Sequence, residues 1–333
     1  MRLTRRGWTV VAVVAGAVAL SWRSGPRALN AVVVPLVVVL VAGLVTIART
    51  DRPRLTRQPV ADGFVGEQRQ IAVTIETESP IDATVRDTVG NGLSTPTPPV
   101  VETTLEGDQT ITYDVELADR GRHRVGPLSI VVSDIIGLVE RRFEYADQTP
   151  VLVYPQVHEL GRGAVDDLQA LAGIADRPEH EAFDHLREYR RGDPLRDVHW
   201  KTAAKRPDDE LLVREYDDGR GAGAVTVAAD CVAGRGDELA SAAATVVTAL
   251  LEQGVRVGLV VPGGTQPPGA GQDHHRELLG LLAVVDAGDL DEGTRRTADV
   301  LIRTDADGTT IAVDGRELRF DTLTTGDGME VTT

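Results

Sequence analysis

The chain has 333 residues, of which 51 are acidic and 35 basic, so its formal net charge is −16 at pH 7. Lys201 and Lys205 are the only lysines, and Cys231 is the only cysteine. Abundant carboxylates with almost no lysine are typical of proteins that work in concentrated salt, which screens carboxylate repulsion. The acidic balance excludes nucleic acid as the main partner, and one cysteine excludes an intrachain disulfide.

Two uncharged apolar runs, Trp8 to Trp22 and Ala31 to Ala48, lie near the start of the chain. The second run has about the length that a bilayer core requires, and flanking arginines can extend the first by snorkelling. The runs predict a two-helix transmembrane hairpin as a first domain, residues 1–54, with helices at about residues 8–23 and 30–48.

Arginines around these runs predict the orientation. Three precede the first run, two lie between the runs and four follow the second: Arg2, Arg5 and Arg6, then Arg23 and Arg27, then Arg49, Arg52, Arg54 and Arg57. Cytoplasmic flanks carry the excess of basic residues, so both ends are expected in the cytoplasm. The sequence thus predicts a multi-pass protein of the cell membrane, with the lipid bilayer as one partner and the soluble domains cytoplasmic.

A secretory signal is the alternative interpretation of the first run. Arg5 and Arg6 resemble a twin-arginine pair, and Ala17 to Ala19 offers a cleavage site. Complete translocation past the second run would place the soluble part outside and make the chain a cell-surface binding protein.

Residues 55–158 predict an antiparallel β-sandwich. Apolar and polar residues alternate over Ile71–Ile75 and Ile111–Val115, and breakers such as Asn91-Gly92 separate short runs. Short alternating strands at this spacing are typical of sandwiches.

Residues 159–333 predict a charged motif followed by an α/β domain with a short β tail. Ala224 to Ala229 reads as a buried strand, Leu239 to Leu251 as a helix, Val255 to Val261 as a strand and His275 to Val285 as a helix. A strand–helix–strand–helix order implies a parallel sheet covered by helices.

The most informative segment is Phe183–Lys201, which reads Phe-Asp-His-Leu-Arg-Glu-Tyr-Arg-Arg-Gly-Asp-Pro-Leu-Arg-Asp-Val-His-Trp-Lys. It closely resembles the signature of the domain of unknown function 58 family. Arg120–Pro127 and Val153–Pro155 also resemble that family, as does Asp134–Leu138, although Ile135-Ile136 replaces the usual Pro-Phe. The resemblance covers roughly residues 115–285.

That resemblance implies a β-sandwich followed by a von Willebrand factor A-like (Rossmann-like) domain. It also implies association with MoxR-type AAA+ ATPases as a membrane adaptor or scaffold. The family supplies no settled biochemical activity, so the resemblance implies no reaction.

Three interpretations of the motif compete. In the first, its charges pair within a compact helix-turn-helix, through Glu188–Arg191 and Asp197–Lys201. In the second, it is a surface that binds a partner's acidic segment. The residues of that surface are Arg187, Glu188, Tyr189, Arg190, Arg191, Asp193, Arg196, Trp200 and Lys201. In the third, hydrolysis uses Asp184, Asp193, Asp197, His185 and His199, although their spacing matches no metal-ligand pattern.

The loop Asp230–Gly234 bears on metal binding. A von Willebrand factor A domain binds Mg²⁺ through Asp-x-Ser-x-Ser, but Val232 and Gly234 replace both hydroxyls here. One carboxylate without supporting oxygens should bind Mg²⁺ poorly, so no metal and no cofactor are expected. Asp230 stays the leading candidate for any site, with Asp237 or Asp286 as compensating ligands, and Cys231 is expected to be a small buried residue.

The sequence therefore predicts a non-enzymatic, membrane-anchored cytoplasmic scaffold that binds a partner protein of the MoxR-type ATPase class through residues 183–201. The alternative is a metal-dependent hydrolase that uses Asp230 with the acidic residues of the motif.

Overall fold

The computed structural model describes residues 1–24, 27–161, 183–188, 212–216, 224–313 and 315–324. Contacts divide the chain into two compact units, Met1–Tyr154 and Pro155–Thr333. The three-domain division at residues 54 and 158 stays a prediction.

The elements of the first unit, in chain order, are β1 (Arg2–Leu3), α1 (Arg5–Ser24), α2 (Arg27–Arg49), β2 (Arg54–Arg57), β3 (Gly63–Phe64), β4 (Gln68–Arg86), β5 (Leu93–Ser94), β6 (Val100–Leu117), β7 (Gly121–Val125), β8 (Leu128–Ser133), β9 (Val139–Tyr145) and β10 (Thr149–Tyr154).

A long antiparallel pair, β4 and β6, is the centre of the first unit. These strands have 19 and 18 residues, and they pair in two stretches separated by a register shift between Thr77 and Ile81. Before the shift β4 also pairs with β2, and after it with β8. A bulge bends a strand and increases its twist. The sheet, ordered β1-β9-β8-β4-β6-β5 with β2 beside β4, therefore curls; we call it the curled sheet.

A second sheet of three strands, β3-β10-β7, completes the first unit. The predicted alternation holds in β4, where Ile71, Val73 and Ile75 are buried and their neighbours are partly exposed. These side chains share one core with residues of the other strands, and Ile47 of α2 belongs to the same core. The helix is thus packed into the curled sheet at its C-terminal end.

An ion pair is buried within this unit. The Arg57 guanidinium donates to both Asp87 carboxylate oxygens at 2.8 and 2.7 Å, and the two side chains are only 5% and 3% exposed. The Tyr113 hydroxyl donates to Asp87 at 2.7 Å. Burial, and then the hydrogen bond to Asp87, raise the pKa of Tyr113 far above its usual value, so its proton stays on the hydroxyl.

The elements of the second unit are β11 (Phe183–Glu188), β12 (Leu212–Tyr216), β13 (Ala224–Cys231), α3 (Gly236–Glu252), β14 (Arg256–Val261), β15 (Gly264–Gly269), α4 (Gln272–Ala283), α5 (Glu292–Thr297), β16 (Val300–Asp305), β17 (Gly308–Val313), β18 (Arg316–Arg319) and α6 (Phe320–Leu323).

Six strands of this unit form a mixed sheet in the order β15-β14-β13-β16-β17-β18. The central strand β13 is parallel to both β14 and β16, which confirms the predicted strand–helix–strand over residues 224–261. The remaining strands pair antiparallel. The edge strand β15 contains Pro267 and Pro268, and the opposite edge, β18, has only four residues. β11 and β12 form a separate antiparallel pair.

The predicted fold class is wrong. Strand accounts for 44% of the structure and helix for 30%, and the first unit is a curled antiparallel sheet. Only one helix among the described residues, at Ala31–Arg49, is long and apolar enough to cross a membrane. α1 carries Arg5, Arg6 and Arg23 and many small residues, so the predicted two-helix transmembrane hairpin is not supported.

The von Willebrand factor A-like assignment is also wrong. The predicted helix-covered parallel sheet extends only over β14, β13 and β16, and antiparallel strands flank it on both sides. The segment from Gly264 to Gly269 is a source of the error, because it continues the sheet by a hairpin from β14 rather than by a crossover helix.

The buried ion pair yields a stability prediction. Asp87→Ala leaves the Arg57 charge buried without its partner, so we expect it to lower the free energy of unfolding by about 3–5 kcal/mol. Glu76→Ala removes the acid of an exposed pair with Arg54 and should cost under about 1 kcal/mol. Denaturant unfolding of the whole chain in detergent measures both, and equal effects would contradict the prediction.

Candidate functional site

The structure places the beginning of the charged motif on a strand. Phe183–Glu188 is β11, and it pairs with Leu212–Tyr216 in antiparallel register, with Arg187 opposite Val213 and Glu188 opposite Leu212. The helix-turn-helix interpretation is therefore wrong for residues 183–188, which include Asp184 and His185.

The rest of the predicted motif lies outside the described residues. This applies to the partner-surface residues Tyr189, Arg190, Arg191, Asp193, Arg196, Trp200 and Lys201, and to the hydrolytic candidates Asp197 and His199. The partner surface and the hydrolytic arrangement both stay predictions.

Asp230 is buried at the carboxyl end of β13, with 2% exposure. Its Oδ2 accepts from Arg295 Nε at 2.6 Å and from the Leu290 backbone N–H at 3.3 Å. Arg303 Nε lies 3.6 Å from its Oδ1, because Arg303 is the register partner of Asp230 on β16. The hydrogen bond to Asp230 is the main cause that raises the pKa of Arg295, so the Arg295 guanidinium stays charged.

This arrangement satisfies the Asp230 carboxylate with two guanidinium groups. A divalent cation would have to displace the Arg295 contact, and neither predicted compensating ligand lies in an evident cluster with it. Asp237 lies in the first turn of α3 and Asp286 is exposed. Within the described part of the chain, no group of three or more His, Cys, Asp or Glu side chains is arranged to hold a metal ion.

Cys231 is buried, as predicted. Its backbone N–H and carbonyl form a reciprocal pair of hydrogen bonds with Gly288, at 3.1 and 3.0 Å. This bridge holds the loop before α5 against β13. Cys231 therefore has a packing role at the end of β13, next to Asp230.

A second candidate region joins the membrane-length helix to the curled sheet. α2 contacts β9 along its last turns: Gly43 lies against Asp134, and Arg141 Nη1 donates to the Thr50 carbonyl at 3.1 Å. A Cβ on Gly43 would lie 3.2 Å from the Asp134 carboxylate, so glycine allows this close approach. We call the contacts of Gly43, Thr50, Arg52 and Pro53 with the turn and strand from Asp134 to Tyr145 the helix–sheet joint.

The joint continues into the segment after the helix. The Tyr145 hydroxyl donates to the Pro53 carbonyl at 2.5 Å, and the Arg52 guanidinium lies 4.6 Å from the centre of the Tyr145 ring. Arg52 also donates to the Glu144 carbonyl. Burial raises the pKa of Tyr145, so its hydroxyl stays a donor near neutral pH. The helix and the sheet are consequently held together at several positions along β9.

Sequence reasoning missed the partners in both regions. Arg295 and Arg303 lie 65 and 73 positions after Asp230, and no local pattern links them to it. The sequence links Asp134 only to the family resemblance and predicts no contact for its carboxylate. Its contact with Gly43 depends on the register of strands that are far apart in sequence.

Comparison with known proteins adds little to this picture. No family model matches the chain. The uncharacterized protein YeaD of Bacillus subtilis (strain 168) is 23% identical over 189 residues, which cover 54% of this chain and 47% of that protein. The chain therefore spans about half the length of this relative.

Solved structures match part of the chain at low similarity. The complex of zinc 2-glycoprotein and prolactin inducible protein from human seminal plasma matches at 11% identity and a TM-score of 0.26, over 32% of this chain and 96% of the other. Alpha-2-macroglobulin from Escherichia coli matches at 16% identity and a TM-score of 0.24, over 35% of this chain and 20% of the other. A CARDB domain from Pyrococcus furiosus matches at 17% identity and a TM-score of 0.22, over 30% of this chain and 93% of the other. At such TM-scores these likenesses carry no argument.

The Asp230 contacts predict a structural role. We expect Asp230→Asn to lower the thermal unfolding midpoint of the chain, because two guanidinium groups lose their anionic partner. Asp289→Asn is the matched control, since Asp289 is 84% exposed and contacts the same Arg295. Circular dichroism with and without MgCl₂, at constant KCl, measures this. A Mg²⁺-dependent rise of the wild-type midpoint that Asp230→Asn abolishes would instead support the hydrolase interpretation.

Proposed function

We propose that the chain is a membrane-anchored scaffold without catalysis of its own. α2 is the anchor, the parts after it lie in the cytoplasm, and residues 183–201 bind a partner protein. The resemblance of that segment to the domain of unknown function 58 family suggests a MoxR-type AAA+ ATPase as the partner.

The helix–sheet joint is the observation that carries the proposal. Ile47 of α2 is fully buried in the core of the curled sheet, and Thr50 and Pro53 are hydrogen-bonded to β9. An anchor attached through a flexible linker would lack such contacts. The curled sheet is therefore fixed to its anchor, which suits a protein that acts as a scaffold at the membrane.

Charge supports the orientation. Arg49, Arg52, Arg54 and Arg57 follow the helix closely, and basic residues near a span favour the cytoplasmic side. The guanidinium contacts of Asp230 support the non-catalytic part of the proposal, because they occupy the carboxylate on which the hydrolase alternative relies.

The orientation can be tested with one cysteine. In a Cys231→Ala background, Asp307→Cys introduces a thiol at an exposed turn position. We expect a membrane-impermeant maleimide to leave this thiol unmodified in intact cells and to label it after permeabilisation. Labelling in intact cells would place the body outside and support a cell-surface binding protein.

The partner surface can be tested by charge reversal. Arg187→Glu with Arg190→Glu and Arg191→Glu should reduce recovery of the ATPase with the whole chain by about tenfold or more, since losing a charged interface contact costs about 2 kcal/mol. Arg122→Glu with Arg124→Glu is the control, because both arginines are exposed and lie in the first unit. Purification from salt-loaded membranes followed by mass spectrometry measures recovery. Recovery of no ATPase by the wild type, or equal recovery by the motif variant, would count against the proposal.

A further inference from the structure

Two adjacent isoleucines protrude from the turn between β8 and β9. Ile135 is 93% exposed and Ile136 is 52% exposed. Beyond residue 49, they are the most exposed large hydrophobic side chains in the described part of the chain. Burying such a side chain is worth about 1.5–3 kcal/mol, so a pair left in water forgoes a sizeable stabilisation. We call Ile135 and Ile136 the isoleucine turn.

The backbone beneath the isoleucine turn is bonded within the protein. The Asp134 carboxylate accepts from the Val139 N–H at 2.6 Å and from the Ile136 N–H at 3.3 Å. The Gly137 N–H donates to the Asp134 carbonyl at 2.8 Å, and Thr4 Oγ1 donates to the Gly137 carbonyl at 2.6 Å. Asp134 itself is buried. The turn thus presents apolar side chains outward, while the Asp134 carboxylate and the N–H groups of Ile136 and Gly137 are hydrogen-bonded within the protein.

The turn lies beside the membrane-length helix and inside the limits of its apolar span. Asp134 contacts Gly43, which precedes Arg49 by six residues; at 1.5 Å per residue this is about 9 Å along the helix. The polar headgroup layer of a bilayer is about 5–7 Å thick on each side. A helix that spans over Ala31–Arg49 therefore brings the isoleucine turn to the boundary between headgroups and acyl chains.

A basic side chain beside the turn is consistent with this depth in the membrane. Arg6 approaches Gly137, with Nη1 4.0 Å from the position that a Cβ would take there. Arginine at this level can extend its guanidinium to the phosphates while its methylenes stay in the apolar layer. The surroundings of the isoleucines are therefore those of a membrane interface.

We propose that the isoleucine turn inserts into the lipid leaflet in which α2 ends and forms a second, non-helical membrane contact. This inference rests on α2 being the membrane anchor. The lipid bilayer is the occupant of this apolar surface because Asp134, the residue before the turn, lies against Gly43 within the apolar span of α2. Two points of attachment, the helix and the turn, fix the tilt of the curled sheet against the membrane.

The test uses depth-dependent fluorescence quenching on the whole chain. In a Cys231→Ala background, single cysteines replace Ile135, Val38 and Asn91, which are exposed on the turn, on α2 and on the curled-sheet unit away from the joint. Each variant is labelled with an environment-sensitive fluorophore and reconstituted in phosphatidylcholine–phosphatidylglycerol nanodiscs. The discs contain lipids with a nitroxide either near the headgroup or near the end of the chain.

We expect the Ile135 label to be blue-shifted and quenched most by the shallow nitroxide, and the Val38 label to be quenched most by the deep one. The Asn91 label should respond only to an aqueous quencher. An Ile136→Cys label repeats the measurement independently. These exposed positions make few packing contacts, so the substitutions leave the fold intact.

The outcomes separate the two proposals. A Val38 label quenched by lipid together with Ile135 and Ile136 labels that behave like Asn91 would overturn the membrane contact of the turn and leave the anchor intact. Its isoleucines would then be free for a protein partner. A Val38 label that lipid does not quench would overturn the anchor, and the inserted turn with it.

Discussion

Ile47 belongs to a helix with an otherwise lipid-compatible surface, yet its side chain is completely buried among the strands of the curled sheet. That burial, with the approach of Asp134 to Gly43, makes the helix part of a folded unit. The position of β9 relative to the helix follows from it, because Arg141 of β9 donates to the Thr50 carbonyl just after the helix end. Separating helix and sheet would expose apolar core on both, so the two are expected to move as one body.

Exposed charges and buried ion pairs have different roles in this molecule. The chain carries a large excess of acidic residues, and two of its buried carboxylates bind a guanidinium: Asp87 with Arg57, and Asp230 with Arg295. Salt screens exposed charges far more than buried ones. The interior pairs can therefore hold strand ends in place at ionic strengths that would abolish surface ion pairs.

Much of the local structure could be predicted from the sequence, because it depends on neighbouring residues. Alternation in Ile71–Ile75 and the apolar run at Ala224–Ala229 each identified a real strand. The fold class could not be predicted, because it depends on which strands pair. Nothing local shows that β4 changes partner near Thr77, or that Arg303 becomes the neighbour of Asp230. At the candidate site, the sequence identified Asp230 but not its cationic partners Arg295 and Arg303.

The edges of the mixed sheet limit how the second unit can associate. Pro267 and Pro268 remove backbone donors from β15, and β18 is too short to serve as a template for a long strand. An open sheet edge is a template on which another copy of a chain can add a strand. Both edges of the mixed sheet therefore protect the second unit against fibre formation with neighbouring copies.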